Sequence, residues 1–170
     1  LMPRFLLGLI LASLVTPQCV AAAYPTSTVV SKIDAGNGGP ATAAYLDEPK
    51  GLASSGQDLY ITDSTNNVIE KIDAQGKIRT IAGSRSYGYV DGFAPQAQFA
   101  NPQDIAIYHH GEELFVADTG NNAVRKIHGT AVSTLIKGLA APAGLTTYQE
   151  TVWISDTGNN TIVRVNHSGG

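Results

Sequence analysis

Residues 63–72 read Asp-Ser-Thr-Asn-Asn-Val-Ile-Glu-Lys-Ile, and two further stretches repeat this pattern. Residues 118–127 read Asp-Thr-Gly-Asn-Asn-Ala-Val-Arg-Lys-Ile, and residues 156–165 read Asp-Thr-Gly-Asn-Asn-Thr-Ile-Val-Arg-Val. Each copy follows a short apolar run and, further upstream, a proline: Pro49, Pro102 and Pro142. Three copies in one register indicate a repeat architecture.

The Asp-Asn stretch has the composition of a tight turn. Asn tolerates positive φ, and Asp, Ser and Thr side chains bond the backbone amides that a reversing chain leaves unpaired. A ring of calcium-binding carboxylates is the alternative, since oxygen ligands suit that ion, but turn formation alone explains why the pattern recurs. The residues assigned to structural turns, with no metal, are Asp63, Asn66, Asn67, Asp118, Asn121, Asn122, Asp156, Asn159 and Asn160.

The repeating unit is a set of four short antiparallel strands. The second strand of each unit is a continuous apolar run, which indicates that both of its faces are covered. The third strands contain Lys71, Arg125 and Arg164, and we expect them to lie nearer to solvent. A small four-stranded sheet covered on both faces by its neighbours is the blade of a β-propeller.

The segment that begins Pro-Lys-Gly-Leu-Ala at Pro49 and runs to residue 72 resembles the NHL repeat, as do residues 102–127 and 142–165. The resemblance implies an all-β, radial propeller, usually of six blades and used mostly for binding. A β-solenoid is the alternative repeated array.

The chain divides into a leader and a repeat region. Residues 1–23 combine Arg4, an apolar run and an Ala-rich end, which predicts a signal peptide and a secreted or periplasmic protein with no stable membrane insertion after cleavage. Residues 24–170 form the propeller region, with repeats at approximately 49–83, 102–137 and 142–166.

Counting strands gives about three four-stranded blades, half of a six-bladed ring. Residues 29–33 read as an outermost strand without a blade of its own, whereas the last unit lacks a fourth strand. Two alternatives follow: the chain is truncated and further repeats are missing, or two copies form a homodimer that completes six blades.

Composition limits the class of partner. The 170 residues include 11 Lys and Arg against 14 Asp and Glu, for a formal charge of −3. This acidic balance predicts no nucleic-acid partner. Cys19, the one cysteine, lies in the leader, so the mature chain would contain neither a disulfide nor a thiol nucleophile.

The long segment between the first two repeats is the candidate ligand-binding surface. It carries Arg85, Tyr87, Tyr89 and Asp91, residue types that suit binding hot spots. By strand parity it should share one face with the Asp-Asn turns. The alternative is that these side chains only cover the sheet edge.

Of three functional classes, RNA binding is opposed by the leader and by the acidic charge balance, which leaves two. An exported module that binds a protein, peptide or glycan through its loop face is the leading hypothesis. A metal-dependent lyase or lactonase-like hydrolase is the alternative that the resemblance allows, but Asp104 is the one ionisable residue of the predicted innermost strands. No catalytic residue and no cofactor is assigned. His109 and His110 are predicted to lie in an exposed turn, and His128 and His167 are assigned no role.

Overall fold

The computed structural model describes residues 38–167, and this part of the chain is all β, with short 3-10 turns and no α-helix. The predicted signal peptide and the predicted strand at residues 29–33 lie outside the described residues. The strands are β1 (Pro49–Ser55), β2 (Asp58–Asp63), β3 (Val68–Ile72), β4 (Ile78–Ala82), β5 (Gly92–Phe93), β6 (Pro102–Tyr108), β7 (Glu113–Asp118), β8 (Ala123–His128), β9 (Ala131–Lys137), β10 (Pro142–Tyr148), β11 (Thr151–Asp156) and β12 (Thr161–Asn166).

These strands form three antiparallel sheets. The first has the order β1-β2-β3-β4, the second β6-β7-β8-β9 with β5 added beyond β9, and the third β10-β11-β12. Each first strand begins at a proline of the repeat. β6 lies beside both β1 and β10, so the first strands of the three sheets are neighbours.

The sheets pack face to face through equivalent positions of the repeat. Tyr60 and Ile69 of the first sheet pack with Ile105 and Val116 of the second. One repeat later, equivalent residues form the core between the second and third sheets; this core includes Phe115, Val124, Val152 and Ile154. Burial of both faces explains the continuous apolar runs in β2 and β7.

The prediction that the third strands lie near solvent is wrong for β3 and β8. Both are mostly buried. The first and third sheets cover the two faces of β8, whereas β3 is covered by the second sheet on one face and by residues 41–46 of the connecting segment on the other. The side chains of Lys71 and Lys126 are only partly exposed, and each ammonium group lies 2.5 Å from a carboxylate, that of Asp58 or Glu113. β12 is exposed along most of its length.

The connecting segments also repeat, which the sequence reading missed. Residues 38–40 pair with the outer edge of β4, as β5 pairs with β9. A 3-10 turn follows in each case, at Ala41–Ala43 and at Ala94–Gln96. Each connecting segment then crosses a sheet face and reaches the proline that begins the next strand, Pro49 or Pro102.

Candidate functional site

The Asp of each turn ties its own sheet together. Asp118 accepts hydrogen bonds from the Ala100 backbone N–H at 2.7 Å and from Asn121 Nδ2 at 2.8 Å, one on each carboxylate oxygen. The other two turns make the same pair of bonds: Asp63 with Asp47 and Asn66, and Asp156 with Ala140 and Asn159. The last residue of each turn is Asn at positive φ, 55° at Asn67, 53° at Asn122 and 54° at Asn160.

The first two turns also bond the next sheet, an arrangement we term the inter-sheet latch. Thr119 Oγ1 donates to the Pro142 carbonyl at 2.6 Å, and the Ala141 N–H donates to Asn122 Oδ1 at 2.8 Å. One sheet earlier, Ser64 Oγ donates to the Pro102 carbonyl at 2.5 Å, and the Asn101 N–H donates to Asn67 Oδ1 at 2.8 Å. Each latch therefore bonds the backbone at the start of the first strand of the next sheet.

Burial disfavours the charged form of two turn carboxylates. Desolvation raises the pKa of Asp63 and of Asp118, although hydrogen bonds to each carboxylate act in the opposite direction. Because both oxygens of each carboxylate already accept hydrogen bonds from protein groups, this geometry supports a role in the turn.

The segment of residues 83–101, here termed the long link, is held by a buried arginine. Arg125 has no solvent exposure; its guanidinium donates to the carbonyls of Val90 and Gln98 and to the carboxylates of Asp91 and Asp118. All three nitrogens are thus used, so the cost of burying the charge is offset by opposite charges and hydrogen bonds. The long link is consequently a fixed surface.

The four predicted ligand-binding residues occupy different environments. Asp91 accepts bonds from Arg125 and from the backbone and hydroxyl of Thr134. The Tyr89 hydroxyl lies 2.7 Å from Thr134 Oγ1, and its ring packs on the Arg125 guanidinium. Arg85 is exposed and 3.5 Å from Glu70, whereas Tyr87 is 68% exposed.

The long link and the second turn lie together, as strand parity predicts. Asn121 Nδ2 donates to the Gly88 carbonyl at 2.7 Å. Phe99 is fully buried, but Phe93 is 53% exposed. Of the eight large apolar side chains that are exposed within residues 38–167, four lie in the long link: Tyr87, Tyr89, Val90 and Phe93.

Sequence reasoning missed Arg125 as the organising residue. It occupies the repeat position of Glu70 and Val163, so this position varies in charge while its neighbours are repeated. Glu70 is also buried; it accepts a bond from Thr80 Oγ1, and desolvation raises its pKa. The variation within an otherwise regular repeat was the available signal.

A second missed cluster joins the second and third sheets. His167 is buried, its Nδ1 lies 2.9 Å from Glu113 Oε2, and its ring packs on Tyr108 and Phe115. His128 Nδ1 lies 3.6 Å from the other Glu113 oxygen. His109 and His110 are exposed in a 3-10 turn, where both have positive φ.

Asp104, the ionisable residue of the predicted innermost strands, is bonded to the backbone. Its Oδ1 accepts from the Ile105 N–H at 2.8 Å and its Oδ2 from the Leu145 N–H at 2.7 Å. It therefore links β6 to β10. Within residues 38–167 no helix is long and apolar enough to cross a bilayer.

Solved structures place this fold among the β-propellers. A protein of unknown function from Bacteroides thetaiotaomicron superposes with a TM-score of 0.63 at 18% identity, over 82% of this chain and 39% of that one. An auxiliary nutrient binding protein from the same organism gives 0.59 at 16%, over 69% and 36%. A chain of a nidogen/laminin complex gives 0.58 at 18%, over 75% and 46%.

Curated relatives match at the sequence level over small parts of much longer proteins. The chain is 40% identical over 94 residues to Protein SUPPRESSOR OF QUENCHING 1, chloroplastic, of Arabidopsis thaliana, covering 54% of this chain and 9% of that protein. It is 29% identical over 149 residues to Teneurin-3 of Mus musculus, covering 79% and 5%. The chain thus spans less than a tenth of either relative. No family model matches it.

Proposed function

We propose that this protein is an exported binding module of the NHL-repeat type, which recognises a protein, peptide or glycan through the long link. The observation that carries the proposal is the concentration of exposed Tyr87, Tyr89, Val90 and Phe93 on a segment fixed from beneath by Arg125. Export rests on the leader at residues 1–23, and the NHL assignment on the repeat pattern.

Fixation of the long link favours recognition. Besides the bonds from Arg125, the Gly88 N–H donates to the Phe99 carbonyl and the Gln98 N–H donates to the Val90 carbonyl, both at 3.1 Å. A surface ordered before binding loses less conformational entropy when the partner arrives. Aromatic side chains then contribute large contact area with few rotatable bonds.

Two of the four candidate residues are expected to contact the partner, and the other two hold the surface in place. Arg85 and Tyr87 are the contact residues, because their side chains project into solvent with at most one weak ionic partner. Tyr89 contributes one ring face and Asp91 positions Arg125 and Thr134. We therefore expect binding to depend most on Tyr87 and Arg85.

Catalysis on the innermost strands has less support. Asp104 is committed to two backbone amides. The structures that share the fold include an auxiliary nutrient binding protein, a chain of a nidogen/laminin complex and a virginiamycin B lyase, so the preference for binding rests on the long link and not on the fold.

The test is a screen with two probe sets, a phage-displayed random peptide library and an immobilised glycan panel. We expect binders whose affinity falls about tenfold or more in Tyr87→Ala and Arg85→Ala, the loss typical of a hot-spot truncation. Tyr148→Ala is the matched control, because Tyr148 is 66% exposed outside the long link. Binders that tolerate both changes, or no binder from either set, would contradict the proposal.

A further inference from the structure

The third turn carries the latch groups without the contacts that the first two turns make. Thr157 and Asn160 are equivalent to the latch residues of the first two turns. Within residues 38–167, neither Thr157 Oγ1 nor Asn160 Oδ1 makes a hydrogen bond. The third turn therefore presents the same donor and acceptor without a protein partner among these residues.

The face of the third sheet beside that turn is also uncovered within the described residues. Ile162 is 67% exposed, whereas Ile69 and Val124 at the same repeat position are fully buried by the following sheet. Trp153 is 37% exposed, whereas the equivalent Phe115 has no exposure. The residues that pack against the following sheet in the first two repeats are apolar here and remain accessible.

The first sheet presents the matching half of this contact. Leu52 is 62% exposed, whereas the equivalent Ile105 is 3% exposed because it packs against the preceding sheet. Glu48 precedes Pro49 with φ of 53°, close to 50° at Asn101 and 47° at Ala141, the two residues whose N–H groups enter latches. The Glu48 N–H has no partner within the described residues.

We propose that the open face of the third sheet binds the first sheet of a second copy of this chain. Thr157 would donate to the Pro49 carbonyl of the second copy, Asn160 would accept from its Glu48 N–H, and Ile162 and Trp153 would cover its Leu52. This contact repeats one that the chain already makes twice within itself, between its own sheets. Two such contacts between two copies join six sheets, a number at which propellers close.

Light scattering of the purified chain across a dilution series tests this proposal. We expect twice the mass of one chain, with Ile162→Asp and Leu52→Asp each reducing it to the mass of one. Both side chains are largely exposed in the single copy, so these changes should leave the circular dichroism spectrum unchanged. Thr157→Val removes one hydrogen bond from each of two contacts and should weaken the dimer about tenfold or more.

Tyr87→Asp is the control, because Tyr87 is equally exposed but lies on the long link. It should leave the mass at two copies, and it separates this contact from the proposed binding function. A single-chain mass at every concentration would overturn the proposal and favour a further repeat as the occupant. A dimer that persists in both Ile162→Asp and Leu52→Asp would overturn it as well.

Discussion

Arg125 Nη1 lies 2.8 Å from Asp118 Oδ2, and neither side chain has any exposure to solvent. Asp118 ends β7 and begins the second turn, while Arg125 lies in the middle of β8. The same guanidinium holds the long link through the carbonyls of Val90 and Gln98. One ion pair therefore couples the repeated turn to the surface that we propose for binding.

Replacing Arg125 by Met should lower the free energy of unfolding by about 3–5 kcal/mol, because Asp118 would keep a buried charge without its cationic partner. Urea denaturation measures this change. Lys126→Met is the matched control, since Lys126 is the next residue and its ammonium is partly exposed; it should cost less than about 1 kcal/mol. Equal losses in the two variants would argue against an organising role for Arg125.

Gly51 marks a close approach between the first two sheets. A Cβ atom at this position would lie 2.5 Å from Asp104 Cα, so the backbones of β1 and β6 would have to separate. We expect Gly51→Ala to destabilise the protein by about 1–3 kcal/mol. At Gly88 an added Cβ would meet mainly the flexible side chain of Gln98. Thermal unfolding of Gly88→Ala should therefore show a smaller loss, and the reverse order would contradict this packing.

Glu70 makes stability depend on pH. Desolvation raises its pKa above the ordinary value of 4.5, so its contribution to stability is greatest below that value and is lost as pH rises through the folded-state pKa. Glu70→Gln removes this titration and can still accept the Thr80 hydrogen bond. Relative to the wild type, the variant should gain stability as pH rises above 4.5 and then level off. A difference between the two proteins that stays constant with pH would contradict the assignment.

Asn122 combines a positive φ with a latch bond to the Ala141 N–H. Asn122→Ala loses both advantages and should cost about 2 kcal/mol, whereas Asn122→Gly keeps the conformational freedom and should cost about 1 kcal/mol, the value of the hydrogen bond. Chemical denaturation of the pair separates the two contributions. If glycine were as costly as alanine, backbone conformation would not contribute at this position.

The strands and turns could be predicted from sequence because their signals are local and repeated. Apolar runs, prolines and Asp-Asn pairs recur in one register, and each specifies structure within a few residues. The latch could not be predicted in the same way. Thr119 and Asn122 have turn-forming side chains whatever lies beside them, and their bonds to the next sheet depend on how the sheets stack.

Arg125 shows why the candidate site was harder to predict. A charged residue among Val and Ile is usually expected to face solvent, but three of the partners of Arg125 lie 27 to 35 residues upstream, in an irregular segment. Asp91 and Tyr89 were predicted to bind a ligand for the same reason: their partners within the protein are distant in sequence. His167 and Glu113, far apart in sequence, meet only because the second and third sheets are neighbours.

The central claim is that the first and second Asp-Asn turns each bond the start of the first strand of the following sheet. Hydrogen exchange of the Asn101 and Ala141 backbone amides, followed by NMR, measures this directly, since both donate to latch asparagines at 2.8 Å. The account predicts slow exchange at both positions and selective loss of protection at Ala141 in Asn122→Gly. Exchange of both amides at the unprotected rate in the wild-type protein would contradict it.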